Sequence, residues 1–357
     1  MKKVGIITIN DHNNYGNRLQ NYAVQEILKN LNVEPITIKN EPATNTKNKY
    51  LLRKIKSFFN KDSYSQIIER KSCFENFNKN IAFSSKRITP YSKLRDYSFL
   101  ITGSDQVWNP NFGRLRDIDL LEFTEPKKRI SFSASFGISK LPAQYHEKLK
   151  NALQDYRAIS VREYAGKEII ENIIDRKDVE VLVDPTMLLT AEEWDKVSKK
   201  PEQLKTNKYI LNYFLGELSE KRKLEINRIA KENNCEVINI LDKNSPFYCT
   251  GPSEFLYLEK HAFLVCTDSF HSCVFATLYN RPFVIFDRED HNTSMNSRVE
   301  TLIQKLQLKN REYNNNEITV ENLKHDYTEA YKILEEERKK SFSFLRRALD
   351  LEGENNG

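Results

Sequence analysis

The feature that most constrains the fold of this 357-residue chain is a regular alternation of short apolar runs with longer amphipathic stretches. Residues 4–9 (VGIITI) are mostly apolar and rich in β-branched side chains, which is typical of a strand buried on both faces. Residues 18–31 place their apolar side chains on one helical face, and residues 33–39 (VEPITIK) predict a second strand. This strand–helix–strand unit predicts a parallel sheet.

The alternation occurs twice along the chain. After a basic helix predicted at 48–81, the first series continues with strands predicted within 97–108, 129–137, 158–166 and 179–189. The second series has strands predicted at 209–215, 235–240, 262–267 and 282–286, with helices at 219–233, 253–260 and 270–280. A polar, Lys-rich stretch at 190–208 separates the two series and is the best candidate for an interdomain connection.

Two successive series of this kind predict an α/β protein with GT-B-like architecture, in which two doubly wound Rossmann-type domains face a cleft. We expect an N-terminal domain at 1–190 and a C-terminal domain at 205–325. A long charged helix predicted at 326–350 is expected to pack back on the first domain.

Composition excludes several classes of protein. A net charge of +6 over 357 residues does not by itself indicate a nucleic-acid partner, and it suits an anionic small substrate or an anionic membrane surface equally well. The five cysteines are scattered without a CxxC pair, so neither a metal site nor a disulfide framework is indicated. Apolar runs are too short for a signal peptide or a membrane span, and we therefore expect a cytoplasmic protein.

Polar side chains follow four predicted strands at their carboxyl ends, where ligands bind in open parallel sheets. These loops are Asn13–Arg18, Gly103–Asn109, Arg162–Glu163 and Asp268–His271. If the architecture is right, all four line a single cleft.

Each of the first three loops has a structural interpretation beside the functional one. Gly16 leads into a helix N-terminus that suits an anion, or it forms a tight turn that needs glycine. Asp105 suits hydrogen bonding to sugar hydroxyls or proton transfer, although a helix N-cap is the more ordinary role. Arg162 suits a carboxylate or phosphate, or else it pairs with a neighbouring acid such as Glu163. Asp184 is expected to cap or turn the chain before a proline.

In the fourth loop, Asp268 and Ser269 are expected to cap a helix that begins near Phe270. His271 then lies in the first helical turn, where the helix dipole disfavours an imidazolium unless a bound dianion reverses the preference. A hydrogen-bonded core histidine is the structural alternative. Arg298, in the segment 295–298 (MNSR), heads a further helix against its dipole, which a bound anion would explain.

Seven motifs together resemble the polysaccharide pyruvyl transferase family. They are NYGNRLQNYAVQEIL, TGSDQVWNP, ISFSASFG, SVREYAG, VLVDPTMLL, DSFHSCVFATLYNRPFVIF and MNSRVETLI, and they reach from residue 4 to about residue 308. The resemblance implies a GT-B-like fold and transfer of the enolpyruvyl group of phosphoenolpyruvate onto two hydroxyls of one sugar. The product is a cyclic ketal, phosphate leaves, and no metal or organic cofactor is implied.

The resemblance also implies roles for individual residues. The donor site is expected in the C-terminal domain and the acceptor site in the N-terminal one. Phosphoenolpyruvate is expected to be held by Arg162, His271, Arg298 and Ser269. His271 is the expected acid, and Asp105 or Asp268 the expected base. The acceptor-binding residues are expected to be Asn14, Gly16, Asn17, Ser104, Asp105 and Gln106. Ser272 departs from the glycine that often follows the histidine in this family.

The acceptor implied by the family is a sugar of a bacterial surface-polysaccharide repeat unit, usually on a lipid diphosphate carrier. Basic amphipathic segments at 50–61 and 338–351 fit weak membrane association, although the second is better explained by packing on the protein. Two other functions stay open. One is a glycosyltransferase that uses a nucleotide-sugar donor on the same scaffold, and the other is a non-catalytic binding protein.

Overall fold

A computed structural model describes residues 1–10, 13–40, 61–88, 94, 96–288, 296–313 and 317–352. They form two compact units. The first unit takes the described residues of 1–40, 78–188 and 334–352, and the second takes those of 61–77 and 189–333. The division therefore differs from the predicted domain limits at residues 61–77, which belong to the second unit.

The strands of these residues are β1 (Lys2–Ile7), β2 (Val33–Lys39), β3 (Phe83–Arg87), β4 (Phe99–Thr102), β5 (Arg129–Ala134), β6 (Ala158–Val161), β7 (Glu180–Val181), β8 (Tyr209–Tyr213), β9 (Glu236–Asn239), β10 (Leu264–Thr267) and β11 (Phe283–Ile285). The α-helices are α1 (Tyr15–Asn30), α2 (Lys61–Phe77), α3 (His146–Leu153), α4 (Tyr164–Glu171), α5 (Ala191–Asp195), α6 (Glu220–Glu232), α7 (Pro252–His261), α8 (Phe270–Leu278), α9 (Asn296–Leu306), α10 (Val320–Leu323) and α11 (Thr328–Ala348).

The first unit is built on a seven-stranded parallel sheet in the order β3-β2-β1-β4-β5-β6-β7. Strand β1 lies inside the sheet, and its Val4, Ile6 and Ile7 are fully buried, as its apolar run predicts. The chain runs outward from β1 to β2 and β3, and then returns to β4 on the other side of β1. The order reverses between β1 and β4, so a ligand crevice is expected outside the carboxyl ends of these two strands.

The second unit is built on a four-stranded parallel sheet in the order β11-β10-β8-β9. Its order reverses between β8 and β10, which places the corresponding crevice at the carboxyl ends of these two strands. Each sheet has the doubly wound arrangement of a Rossmann-type domain. The predicted α/β fold class, with two such domains as in GT-B-like proteins, is confirmed.

The C-terminal helix packs on the first unit from Leu334 onward. The ring of Phe344 stacks on Phe132 with centroids 6.3 Å apart, and Leu345 and Leu349 are fully buried. The apolar side of segment 338–351 is therefore occupied by the protein itself, and the packing interpretation of that segment is the right one. The segment 50–61 lies outside the described residues except for its last residue, where α2 begins.

Two local predictions differ from the structure. The segment 190–208, predicted as a polar connection, carries helix α5, whose Thr190 and Glu193 form a reciprocal capping box. Its Trp194 is buried edge-to-face against Phe275 at 5.1 Å, so this segment belongs to the core of the second unit. Strand β3 was missed because it is a polar edge strand (FSSKR) without apolar alternation. Of the predicted helix at 48–81, α2 accounts for the described part.

Candidate functional site

The turn after β4 is tied to β1 and α1 at the crevice of the first unit. The Nε2 of Gln20 donates to the Oγ1 of Thr8 at 2.7 Å, and the backbone N of Ser104 donates to the Oε1 of Gln20 at 3.1 Å. The Oγ1 of Thr8 donates in turn to the carbonyl of Ser104 at 3.2 Å. All three residues are fully buried, so this triangle fixes the crevice walls to each other.

The other predicted acceptor residues lie at the same two strand ends. Asn14 is the N-cap of α1, where its Oδ1 accepts from the N of Asn17 at 3.3 Å. Gly16 lies in the first turn of α1 with helical backbone, so the interpretation as a tight glycine turn is wrong. Gln106 is buried beside Asn109, whose Nδ2 donates to its Oε1.

Asp105 does not cap a helix. Its backbone adopts a left-handed φ of +66°, and its carbonyl accepts from the N of Ser135 at 2.9 Å, which bridges it to the end of β5. The N-cap interpretation is therefore wrong. Its side chain turns into the protein, where Oδ1 accepts from the Nη2 of Arg162 at 2.9 Å.

Arg162, at the end of β6, is the centre of a buried charge network. Its side chain is only 2% exposed, and it donates to the carboxylates of both Asp105 and Asp184. Burial lowers the pKa of the guanidinium, but the neighbouring carboxylates raise this pKa by more, and Arg162 stays charged. Ser104 joins the network, since its Oγ donates to the Oδ2 of Asp184 at 3.0 Å.

Asp184 has the predicted capping role and a second role that the sequence did not reveal. Its Oδ1 accepts from the N of Thr186 at 3.0 Å and from the hydroxyl of the same residue at 2.6 Å, which confirms the turn before Pro185. Its Oδ2 meets Arg162 instead. Phosphoenolpyruvate binding by Arg162 stays a prediction, and a phosphate that reached this guanidinium would have to compete with both carboxylates.

At the crevice of the second unit, Asp268 ties the ends of β10 and β8 together. Its Oδ1 accepts from the N of Leu215 at 2.7 Å, and its Oδ2 accepts from the N of Gly216 at 2.8 Å. Arg288 approaches the same carboxylate at 3.3 Å. Gly216 leaves room for this arrangement, because a Cβ there would lie 3.1 Å from the Oδ2 of Asp268.

Helix α8 begins where it was predicted, but neither predicted cap forms. Ser269 occupies the N-cap position and its side chain makes no capping hydrogen bond, while Asp268 is engaged with the end of β8. Both oxygens of this carboxylate are thus occupied as acceptors of backbone N–H groups. This arrangement suits a group that shapes the crevice better than one that removes protons.

His271 and Arg298 both lie against the ring of Phe270. The imidazole of His271 packs edge-to-face on this ring with centroids 5.2 Å apart, and the guanidinium carbon of Arg298 lies 5.9 Å from its centroid. Each cation-forming side chain is in the first turn of its helix, α8 for His271 and α9 for Arg298, and both are about 6% exposed. Two helix N-termini and two nitrogen-rich side chains around one ring favour an anion.

The structure thus brings the predicted residues together in two groups. One is the Arg162 network of the first unit, and the other is the β8–β10 crevice of the second unit with His271 and Arg298. Arg288 is an addition that sequence reasoning passed over, since it lies in a polar stretch (287–294) that gave no reason to single it out. Residues 289–294 of that stretch lie outside the described residues, and so does Met295, the first residue of the MNSR segment.

Across the described ranges, no group of three or more His, Cys, Asp or Glu side chains is arranged to hold a metal ion. Nor does any helix within those ranges have the length and apolar content needed to cross a membrane.

Comparison with protein families now adds to this geometry. The profile of the polysaccharide pyruvyl transferase family matches residues 14–291, which include Arg162, Asp268 and His271 but neither Thr8 nor Arg298. The chain belongs to the polysaccharide pyruvyl transferase family. The resemblance seen in the sequence is confirmed, and membership of this family supports a transferase that acts in pyruvyl transfer onto polysaccharide.

Among solved structures, the chain is similar to two crystal or other solved structures of one enzyme, the UDP-GlcNAc 2-epimerase of Methanocaldococcus jannaschii. The first, in complex with UDP-GlcNAc and UDP, is 14% identical with a TM-score of 0.47, covering 84% of this chain and 87% of that chain. The second is 13% identical with a TM-score of 0.47, covering 93% of this chain and 92% of that chain. Comparison with curated proteins gave no match.

Proposed function

We propose that this pyruvyl transferase uses phosphoenolpyruvate as donor and forms a cyclic pyruvate ketal on two hydroxyls of one sugar in a surface-polysaccharide repeat unit. The observation that carries the proposal is the placement of His271 and Arg298 around Phe270 at two helix N-termini. A donor with a phosphate and a carboxylate needs several cationic or N–H groups in one place. This crevice supplies them, and we assign the donor to the second unit.

In the proposed chemistry, a protonated His271 gives its proton to the vinyl CH₂ carbon of phosphoenolpyruvate, and the adjacent carbon becomes oxocarbenium-like. A sugar hydroxyl attacks that carbon, and the neutral imidazole accepts the hydroxyl proton. The C–O bond to phosphate then breaks as a second hydroxyl attacks, which closes the ring. Inorganic phosphate leaves with the proton of the second hydroxyl, so the atoms balance without a metal or an organic cofactor.

Asp105 and Asp268, the two residues expected to act as the base, are both less suited to that role than His271. Asp268 uses both oxygens on backbone N–H groups, and Asp105 is paired with Arg162. Both carboxylates already accept hydrogen bonds from groups of the protein. We therefore assign the proton transfers to His271 and give Asp268 the task of holding the end of β8.

The acceptor is assigned to the first unit. Carboxylates accept hydrogen bonds from sugar hydroxyls, and amides and hydroxyls both accept and donate them. Such groups follow β1 and β4 at the crevice: Asn14, Asn17, Ser104, Asp105 and Gln106. We further propose that the acceptor is carried on a lipid diphosphate and that the enzyme meets it at the cytoplasmic face of the membrane. A vesicle flotation assay with and without lipid-linked acceptor measures this.

The test is phosphate release when the protein is mixed with phosphoenolpyruvate and an oligosaccharide panel, with mass spectrometry of the products. Changing His271→Ala is expected to lower turnover by about 10²–10⁴-fold, the range for a lost general acid, with little change in the melting temperature. His261→Ala is the matched control, since His261 is an exposed histidine at the end of α7 and should keep full activity. Saturation by nucleotide sugars but not by phosphoenolpyruvate would overturn the proposal in favour of glycosyl transfer.

A further inference from the structure

A buried carboxyl group lies beneath the helix that carries His271. Glu259, on α7, is fully buried, and so is Ser272 on α8. The hydroxyl of Ser272 donates a hydrogen bond to the Oε1 of Glu259. The two residues lie on different helices, so this hydrogen bond joins α7 to α8.

The surroundings of this bond are apolar. Phe255 on α7 meets Phe275 on α8 edge-to-face with centroids 5.9 Å apart, and Phe275 also receives Trp194 at 5.1 Å. Apolar packing of this kind holds two helices together but permits small rotations and slides. A hydrogen bond inside it is directional, and breaking it leaves a buried polar group unsatisfied. The Glu259–Ser272 bond therefore sets the rotation of α8 about its axis.

Ser272 directly follows His271 in the first turn of α8. Successive residues in an α-helix project about 100° apart, since a turn has about 3.6 residues. Fixing the inward direction of Ser272 consequently fixes the direction in which His271 leaves the helix.

We infer that Glu259 and Ser272 are positioning residues, which aim His271 at the donor through the hydrogen bond between them. This inference rests on the proposed function for its kinetic part and on the fold alone for its structural part. Neither residue has to touch the substrate.

Three variants test the inference. Ser272→Ala removes the donor, Glu259→Leu removes the acceptor, and Glu259→Gln keeps an oxygen at the acceptor position. We expect kcat to fall about tenfold in the first two variants, because losing the net free energy of one typical hydrogen bond changes a rate by a factor of this order. The KM for phosphoenolpyruvate should stay nearly unchanged. Glu259→Gln should restore kcat to within about twofold of the wild type.

A second measurement does not depend on activity. The chain has six histidines, so protein labelled with ¹⁵N-histidine gives few ring signals, and His271→Ala assigns the one of interest. Ser272→Ala and Glu259→Leu should shift this signal and weaken its response to added inorganic phosphate, whereas Glu259→Gln should not.

The outcomes separate the two proposals. An unshifted His271 signal and unchanged kcat in Ser272→Ala would overturn the positioning role, as would a Glu259→Gln variant as defective as Glu259→Leu. If the wild type releases no phosphate from phosphoenolpyruvate, the proposed function fails, and the ring signal still decides the positioning role. Should Glu259→Leu not fold, Ser272→Ala carries the test, since it removes only one hydroxyl.

Discussion

Replacing Glu259 by Gln is expected to stabilise the protein at neutral pH. Burial holds the pKa of the Glu259 carboxyl well above its ordinary value of 4.5, and the hydrogen bond from Ser272 lowers this pKa by less. Within the described residues, its Oε2 has no hydrogen-bond partner. The folded protein therefore keeps Glu259 neutral at pH values where the unfolded chain has released the proton, and glutamine mimics this neutral form.

The size of the effect follows from proton linkage. Because the folded pKa is raised, the contribution of Glu259 to stability is fully present below the unfolded pKa and is lost as the pH rises toward the folded pKa. In that window the unfolding free energy of the wild type falls by up to about 1.4 kcal/mol for each pH unit, and that of the glutamine variant does not fall for this reason. The difference in unfolding free energy between the two proteins should widen with pH at up to this slope.

Neighbouring groups do not obscure the measurement. Burial also raises the pKa values of the Cys273 thiol and of the Tyr209 and Tyr279 phenols, so these groups stay neutral through the same pH range. Urea unfolding of both proteins at pH 5, 6, 7 and 8 gives the difference directly, and all other titrating groups cancel in the comparison. A difference that is constant with pH would refute the reasoning, because it would mean that Glu259 titrates alike in the folded and unfolded chain.

Two further predictions concern the first unit. Asp184→Ala should lower the unfolding free energy by about 3–5 kcal/mol, because it removes the acceptor that buried donors of Arg162, Ser104 and Thr186 share; a loss under about 1 kcal/mol in urea unfolding would contradict this account. Gly103→Ala should be far more damaging than Gly113→Ala, since a Cβ at Gly103 would lie 2.4 Å from the carbonyl oxygen of Phe132 and one at Gly113 would meet nothing within 4 Å. Both glycines have positive φ, so Gly113→Ala reports the backbone strain alone, about 1 kcal/mol, and equal losses in melting temperature for the two variants would contradict the steric argument.

Most of the strands and helices were predictable from periodicity alone. The apolar run at 4–9 and the alternation at 262–280 mark buried parallel strands and the helices that follow them, because burial on both faces leaves little choice of residue type. Strand β3 was not predictable in this way, since an edge strand has few buried side chains. Residues 61–77 were assigned to the N-terminal domain and fall in the second unit, because the sequence of a helix does not show which sheet it packs on.

The positions of the candidate residues in the fold were predictable, but their partners were not. Asp105, Asp268 and His271 follow the carboxyl ends of parallel strands, as their loops predicted, and their part in binding stays a prediction. What these side chains touch depends on residues far away in the chain: Asp184 lies 22 positions from Arg162, and the backbone groups that hold Asp268 lie more than 50 positions before it. Such contacts exist only once the sheets are assembled, and no local pattern encodes them.

The two crevices occupy the same topological position in their sheets, and yet they differ in charge. In the described part of the first unit, the carboxylates of Asp105, Glu163 and Asp184 lie around Arg162, and carboxylate oxygens are hydrogen-bond acceptors. In the second unit, Arg288 lies beside Asp268, and His271 and Arg298 lie in the first turns of their helices against the ring of Phe270. We expect an anionic donor to be attracted more by the second arrangement than by the first, and a sugar rich in hydroxyls to be suited to the first. This difference supports the proposal of a donor site in the second unit and an acceptor site in the first.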